Sequence, residues 1–188
     1  MPTRPPASCS LPTRRYFLAK AGGLCGTAAV SLVMPAMAAV PERRSLSFVH
    51  THTSEALRAD YFSAGCYDAD CLSQVNHLLR DFRTGDVHII DPSLLDVLFD
   101  LQTLAGHEGP FEVISGYRSP ATNDMLRRTS EGVAPHSLHL EGRAIDVRLR
   151  GFPTRILAEH ARALQRGGVG FYASSDFVHV DTGRIRYW

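Results

Sequence analysis

The sequence predicts an α+β domain, a small antiparallel sheet packed with several helices. Three observations carry this. Apolar residues recur at helical spacing in three long stretches, 68–82, 91–106 and 154–166. Short alternating runs outside them read as strands. The helices come mostly ahead of the closing strands instead of alternating with them, which fits α+β better than a parallel sheet.

Taken in order, Ser45 to His50 alternates as a first strand, Thr51-His52-Thr53-Ser54 is a polar turn, and Leu57 to Phe62 is the partner strand of a hairpin. Asp68 to Phe82 places Leu72, Val75, Leu78, Leu79 and Phe82 on one helical face. Asp91-Pro92-Ser93 opens a second helix, with an acceptor side chain ahead of it and proline near its first turn. Leu94, Leu95, Leu98, Leu101 and Leu104 line its buried face, and Gly106 and Gly109-Pro110 end it. Phe111 to Ser115 is a short strand, Gly116 to Pro120 a loop, and Thr122 to Arg128 a short helix. Residues 130–142 read as loop and Ala144 to Leu149 as a strand. Thr154 to Arg166 is the third long helix, with Ile156, Leu157, Ala161 and Leu164 on one face. Residues 167–172 and 177–181 close the chain as a hairpin.

The N-terminus stands apart from this domain. Thr13-Arg14-Arg15-Tyr16-Phe17-Leu18-Ala19-Lys20 sets two arginines ahead of an apolar run, and residues 21–37 carry no charge. Pro35-Ala36-Met37-Ala38 ends the run with small residues where a signal peptidase reads them. This is the pattern of a twin-arginine signal peptide over residues 1–38, leaving 39–188 as one domain exported to the periplasm. The apolar run is short for a membrane span, and no second run of membrane length follows.

The leader holds four of the chain's 20 basic residues, which leaves 16 against 19 acidic ones, a net of −3. A basic surface suited to nucleic acid is not expected. Cys9 and Cys25 leave with the leader, while Cys66 and Cys71 remain, five apart, in an oxidising compartment. Either a local disulfide or two free thiols fits that spacing.

Two clusters carry metal-binding side chains: Ser137-Leu138-His139-Leu140-Glu141-Gly142-Arg143-Ala144-Ile145-Asp146 and Phe177-Val178-His179-Val180-Asp181. A catalytic zinc takes three protein ligands from imidazole nitrogen and carboxylate oxygen and keeps one position open. A loop histidine, His139, followed by Asp146 at the start of a strand, with Gly142 permitting the turn between, supplies two. His179, on a strand of the closing hairpin, supplies a third. Water activated by such an ion needs a carboxylate to take its proton. Asp181 lies on the strand face of His179, two residues on, and Asp176 stands where that strand begins. His136 is near enough to mimic a ligand. The other histidines, with Tyr117 and Trp188, read as local hydrogen-bonding or packing groups.

The string Ser-x-His-x-x-Gly-x-Ala-x-Asp at 137–146, with His-x-Asp at 179–181, resembles the LAS metallopeptidases, a hedgehog/DD-peptidase-like group. Within it the chain resembles the YcbK/MepK-like murein endopeptidases. The likeness extends through the Leu-x-x-Leu helix after Asp91-Pro92, Ile114 to Ser119, Thr122-Asn123, 167–172 and Asp181-Thr182-Gly183. It implies Zn2+ held by His139, Asp146 and His179, and Arg118 near the substrate with Ser119 and Ser137. Several relatives use an acid three before the last histidine, which Asp176 matches. The MepK-like branch features the acid of His-x-Asp, which Asp181 matches and which is favoured as the base. The implied activity is hydrolysis of peptide cross-links in peptidoglycan, at D-alanyl–diaminopimelate or diaminopimelate–diaminopimelate bonds. The alternatives are a D-alanyl-D-alanine carboxypeptidase and a non-catalytic zinc-containing module that binds peptidoglycan.

Overall fold

The computed structural model describes residues 43–129 and 134–188; the predicted leader, with Cys9 and Cys25, lies outside them. Strands β1 (Arg43–His50), β2 (Ala56–Ser63) and β3 (Cys66–Tyr67) come first, then helices α1 (Ala69–Leu78) and α2 (Pro92–Ala105). Strand β4 (Phe111–Ser115), helix α3 (Pro120–Thr129), a single 3-10 turn (Leu138–Glu141) and β5 (Ala144–Leu149) follow. Helix α4 (Thr154–Leu164) leads into β6 (Gly168–Tyr172), β7 (Phe177–Asp181) and β8 (Arg186–Tyr187). The strands form one sheet in the order β3-β2-β1-β4-β5-β7-β6-β8.

The α+β class holds, but the sheet is neither small nor wholly antiparallel. Among the described residues it has eight strands, and β1 pairs with β4, and β6 with β8, in parallel. Helices α1 and α2 lie between β1 and β4 in the chain, and a crossover of that length is what a parallel pair requires. The two-residue strands β3 and β8 are too short to show a periodicity of their own.

One face of the sheet is the apolar core. Leu46 and Phe48 of β1, Phe111 and Val113 of β4, and Val147 and Leu149 of β5 are all at or below 1% exposure. Over them α2 packs against β1 and α4, and α4 against β5, β6 and β7. Leu94, Leu95, Leu98 and Leu101 are fully buried, so truncating any one to alanine costs about 2–5 kcal/mol. Leu104, expected on that face, is 48% exposed, because the last turn of α2 projects past the core. Ile156 likewise sits at the rim, while Leu157, Ala158 and Ala161 are the residues of α4 that face inward.

Helix boundaries follow their caps. The Asp91 carboxylate accepts the Ser93 N–H at 2.9 Å to start α2, and Gly106 ends it in the left-handed region. Helix α1 begins at the Asp68 cap and stops at Leu78, four residues before the predicted end at Phe82. The chain turns there because the buried Asp81 carboxylate draws it elsewhere, accepting the N–H of Ser119 at 2.8 Å and of Arg83 at 2.9 Å. Phe82 then stacks on His52, with ring centroids 4.1 Å apart.

A polar cluster is buried where α2 crosses β1 to β3. The Asp96 carboxylate accepts from Arg44 at 2.6 Å, from the Tyr61 hydroxyl at 3.0 Å and from the Tyr67 hydroxyl at 2.6 Å. Burial, with Asp96 beside it, pushes the Tyr67 phenol up to about 12. Cys71 carries a free thiol, so the local Cys66–Cys71 bridge is not formed.

Candidate metal centre and its cleft

The site is built at the middle of the sheet. Strands β5 and β7 run antiparallel with Asp146 opposite His179, so the two side chains share a face as direct cross-strand neighbours. The 3-10 turn ahead of β5 supplies His139. Ser137 starts the turn by accepting the His139 N–H, and Gly142 ends it at φ 65°. A side chain at Gly142 would run into the carbonyl of Ile89, so the left-handed turn and the close approach both require glycine. The His139 carbonyl accepts the Arg118 N–H at 3.1 Å, which ties this turn to the 116–120 loop.

The donor atoms form a tight triangle. His139 Nε2 lies 3.2 Å from Asp146 Oδ1 and 3.2 Å from His179 Nδ1, and His179 Nδ1 lies 2.8 Å from Asp146 Oδ1. All three residues are buried, at 1%, 3% and 8% exposure for His139, Asp146 and His179. In a tetrahedron with bonds of about 2.0–2.1 Å the donors stand roughly 3.3 Å apart, so the spacing fits such an ion.

The second contact of each ring shows why the triangle could hold a cation. His139 Nδ1 faces the Gly116 carbonyl at 2.6 Å. A carbonyl only accepts, so Nδ1 carries the hydrogen and Nε2 presents a lone pair. His179 Nε2 faces Asp181 Oδ2 at 3.0 Å, so Nε2 carries the hydrogen and Nδ1 presents a lone pair. With Asp146 Oδ1, three acceptors face one another. Either a proton or a cation reconciles them. Burial by itself lowers the His179 imidazole, but hydrogen bonds to Asp146 and Asp181 outweigh it and raise the ring to about 8. His139 is held below its ordinary range by burial, against the pull of Asp146. Burial opposes ionisation of Asp146, yet His139 and His179 keep it well below the usual carboxylate range.

The triangle floors a cleft of about 400 Å3. Arg118 and Ser137 line it, as do His52, Arg83, Tyr172 and Trp188. Arg118 pairs with Asp146 Oδ2 and donates from Nε to Ser115 Oγ at 3.0 Å. A β-bulge in β4 opposite β5, between Val113 and Ser115, turns this strand end toward the site. Trp188 Nε1 donates to the Tyr172 hydroxyl at 2.9 Å, and its ring lies 5.3 Å from that of His179. A methyl at Gly170, opposite His179 on β6, would lie 2.5 Å from the Trp188 ring, so this seat needs a residue without a side chain.

Three expected roles meet a different geometry. Ser119 does not line the cleft: it is 1% exposed, and its hydroxyl accepts the Thr122 N–H at the start of α3. Asp181 shares the strand face of His179, as parity requires, but lies behind the ring, on the side away from the donor triangle. Its Oδ1 accepts from the N–H of Gly168 at 3.0 Å and of Gly183 at 2.8 Å, and Arg186 pairs with Oδ2 at 2.7 Å. Fully buried and fully hydrogen-bonded, it holds the tautomer of His179 and contacts the ring nitrogen opposite the donor triangle. Its carboxyl sits below the ordinary range: burial opposes this, and His179, Arg186 and the two glycine N–H groups outweigh it. Asp176 sits at φ 50° in the β6–β7 turn, is exposed, and pairs with Arg148 at 3.4 Å; it is absent from the cleft wall. Two further histidines, His52 and His136, line the cleft.

One signal for Asp181 lay in the sequence. Asp-x-Gly is a turn in which the carboxylate accepts the N–H two residues on, which commits one of its oxygens. His52, Arg83 and Trp188 gave no such sign, because each reaches the cleft only through packing between distant segments.

A mixed sheet that brings histidine, aspartate and histidine together at the foot of an open cleft is the hedgehog/DD-peptidase-like arrangement. Residues 38–188 match the family described as Peptidoglycan L,D-endopeptidase MepK, and the chain belongs to that family. It is 39% identical over 175 residues to Peptidoglycan L,D-endopeptidase MepK of Escherichia coli K12, covering 93% of this chain and 96% of the relative. It is also 39% identical over 176 residues to Probable peptidoglycan L,D-endopeptidase MepK of Haemophilus influenzae, covering 93% and 95%. No solved structure matches the chain.

Proposed function

We propose that this chain is a zinc-dependent endopeptidase of peptidoglycan that cuts peptide cross-links at L,D bonds. The observation that carries this reading is the convergence of three lone pairs at the foot of a cleft open to a peptide. Family membership supports the substrate class. Zn2+ bound to His139, Asp146 and His179 would polarise a peptide carbonyl and bring the pKa of water to about 7. The chain's own groups prepare for this. The Gly116 carbonyl and Asp181 fix the two imidazole tautomers, and Arg118 neutralises Asp146. Among the described residues Arg118 Nη1 meets no partner, which leaves its donors available to a developing oxyanion or a peptide carboxylate.

The test is product analysis. The zinc-loaded protein is incubated with purified dimeric peptidoglycan fragments linked through either D-alanyl–diaminopimelate or diaminopimelate–diaminopimelate bonds, and the products are identified by mass spectrometry. Conversion of the second dimer to two monomers is expected. Release of terminal D-alanine alone would make the chain a carboxypeptidase. Binding of fragments without any product, at full zinc occupancy, would make it a binding module. The reading includes export by the twin-arginine route to the periplasm, supported by Arg14-Arg15 and the uncharged run after them. Replacing both arginines by lysine should leave the chain in the cytoplasm, and unchanged export would overturn that part. Among the described residues no helix is long and apolar enough to cross a membrane.

A further inference from the structure

Among the described residues three arginines line the cleft, Arg83, Arg118 and Arg186. Two are neutralised from within, Arg118 by Asp146 and Arg186 by Asp181. Arg83 makes no ion pair among the described residues and is exposed. Among the described residues no acid other than Asp146 lines the cleft wall to compensate it.

Arg83 is also held in place. Its guanidinium carbon lies 4.1 Å from the centroid of the Phe82 ring, and Phe82 stacks on the cleft residue His52 with an interplanar angle of 11°. An aromatic face occupies one side of the guanidinium plane and leaves the N–H edge for a planar anion. The backbone beneath is fixed by Asp81, 1% exposed, whose two oxygens accept the N–H of Arg83 and of Ser119. One buried carboxylate thus fastens the segment carrying Arg83 to the loop carrying Arg118. Two arginines from distant segments are set over one cleft, one committed to the donor triangle and the other left with an open valence for an anion.

We infer that Arg83 is a carboxylate anchor of the cleft, selecting peptides that carry a free carboxylate beside the bond to be cut, as diaminopimelate does. This rests on the peptidase reading above. A charge-assisted bidentate contact of this kind changes affinity by about 10- to 100-fold.

The experiment compares two substrates, a cross-linked dimer with free diaminopimelate carboxylates and the same dimer with those carboxylates amidated. Wild type should favour the free acid in kcat/KM by about 10- to 100-fold. Arg83→Gln should remove that preference through KM on the free acid, leaving kcat, zinc content and turnover of the amidated dimer unchanged. Arg83→Lys should restore part of it, since an ammonium keeps the charge but not the planar fork. An Arg83→Gln enzyme that keeps the full preference, or loses turnover equally on both substrates, overturns the anchor. If wild type binds zinc and cuts neither dimer, the peptidase reading fails by itself. Calorimetric binding of the free and amidated dimers to wild type and Arg83→Gln then decides the anchor: loss of the carboxylate preference in the variant upholds it, and equal affinities throughout overturn it.

Discussion

Two of the buried carboxylates, Asp96 and Asp146, stand among partners that look alike on paper, and they serve opposite ends. Asp96, on α2 where it crosses β1 to β3, is surrounded by one guanidinium and two phenols. Every neighbour brings a hydrogen, so the acid is satisfied by the fold alone. Asp146, on β5 at the middle of the sheet, also has a guanidinium, but its other oxygen faces two imidazole nitrogens. Those nitrogens are kept as acceptors by groups on their far sides, the Gly116 carbonyl and Asp181. What separates a structural acid from one proposed to bind metal is here the set of contacts one step further out, which decides whether its neighbours offer hydrogens or lone pairs.

The comparison can be broken most sharply by exchanging its two acids. Asp146→Ala should empty the zinc site and abolish hydrolysis, a loss well beyond the ~10- to 100-fold expected for an outer partner. Asp96→Ala should do the reverse: about 3–5 kcal/mol of stability is lost in urea denaturation because Arg44 is left unpaired, while zinc per folded chain stays near one. Retention of zinc by the Asp146 variant, measured by elemental analysis, would remove the distinction.

A smaller effect is expected one step out. Asp181→Asn should weaken zinc binding by ~10- to 100-fold in competition with a chelator, and turnover should recover at saturating zinc. A general base would behave otherwise, with zinc affinity intact and kcat reduced ~100- to 10,000-fold. Asp176→Asn should change neither quantity, since its side chain is in the β6–β7 turn outside the cleft.

The smallest effect concerns Asp81, another buried acid, which resembles Asp96 in facing donors only. Burial raises its carboxyl, but hydrogen bonds from Thr122, Ser119 and Arg83 outweigh this and hold it below the ordinary aspartate value of 3.8. A depressed carboxyl stabilises the fold above the unfolded value, and that contribution fades as pH falls through the folded one. Asp81→Asn should therefore cost about 1–3 kcal/mol at pH 7, and the gap to wild type should narrow below pH 3.8. A gap independent of pH would mean that packing, not the charge, is what Asp81 contributes.

Much of this was readable along the chain. The α2 cap at Asp91-Pro92-Ser93 and the strands on either side of the site follow from local spacing, because each depends on neighbours within a turn or a strand, and the three donor residues were named by their motif and the family resemblance it carries. The end of α1 was not, since Asp81 bonds to Ser119, 38 residues away. Leu104 continues the stripe of α2 yet emerges into solvent, because a stripe marks a face and says nothing of where the core stops.

The amino-acid sequence alone thus settled the chemistry on offer: which donors are present, which strands carry them, and that His179 and Asp181 share a face. Tertiary structure settled how that chemistry is arranged. It placed Asp181 at the far nitrogen of His179, turned Arg118 onto Asp146, buried Ser119 under α3 and brought Arg83 to the cleft. The physical reason is that periodicity fixes the side of a strand or helix on which a residue lies. Which atom of that residue meets which partner depends on hydrogen bonds and packing between segments far apart in the chain, and these exist only once the sheet has closed around them.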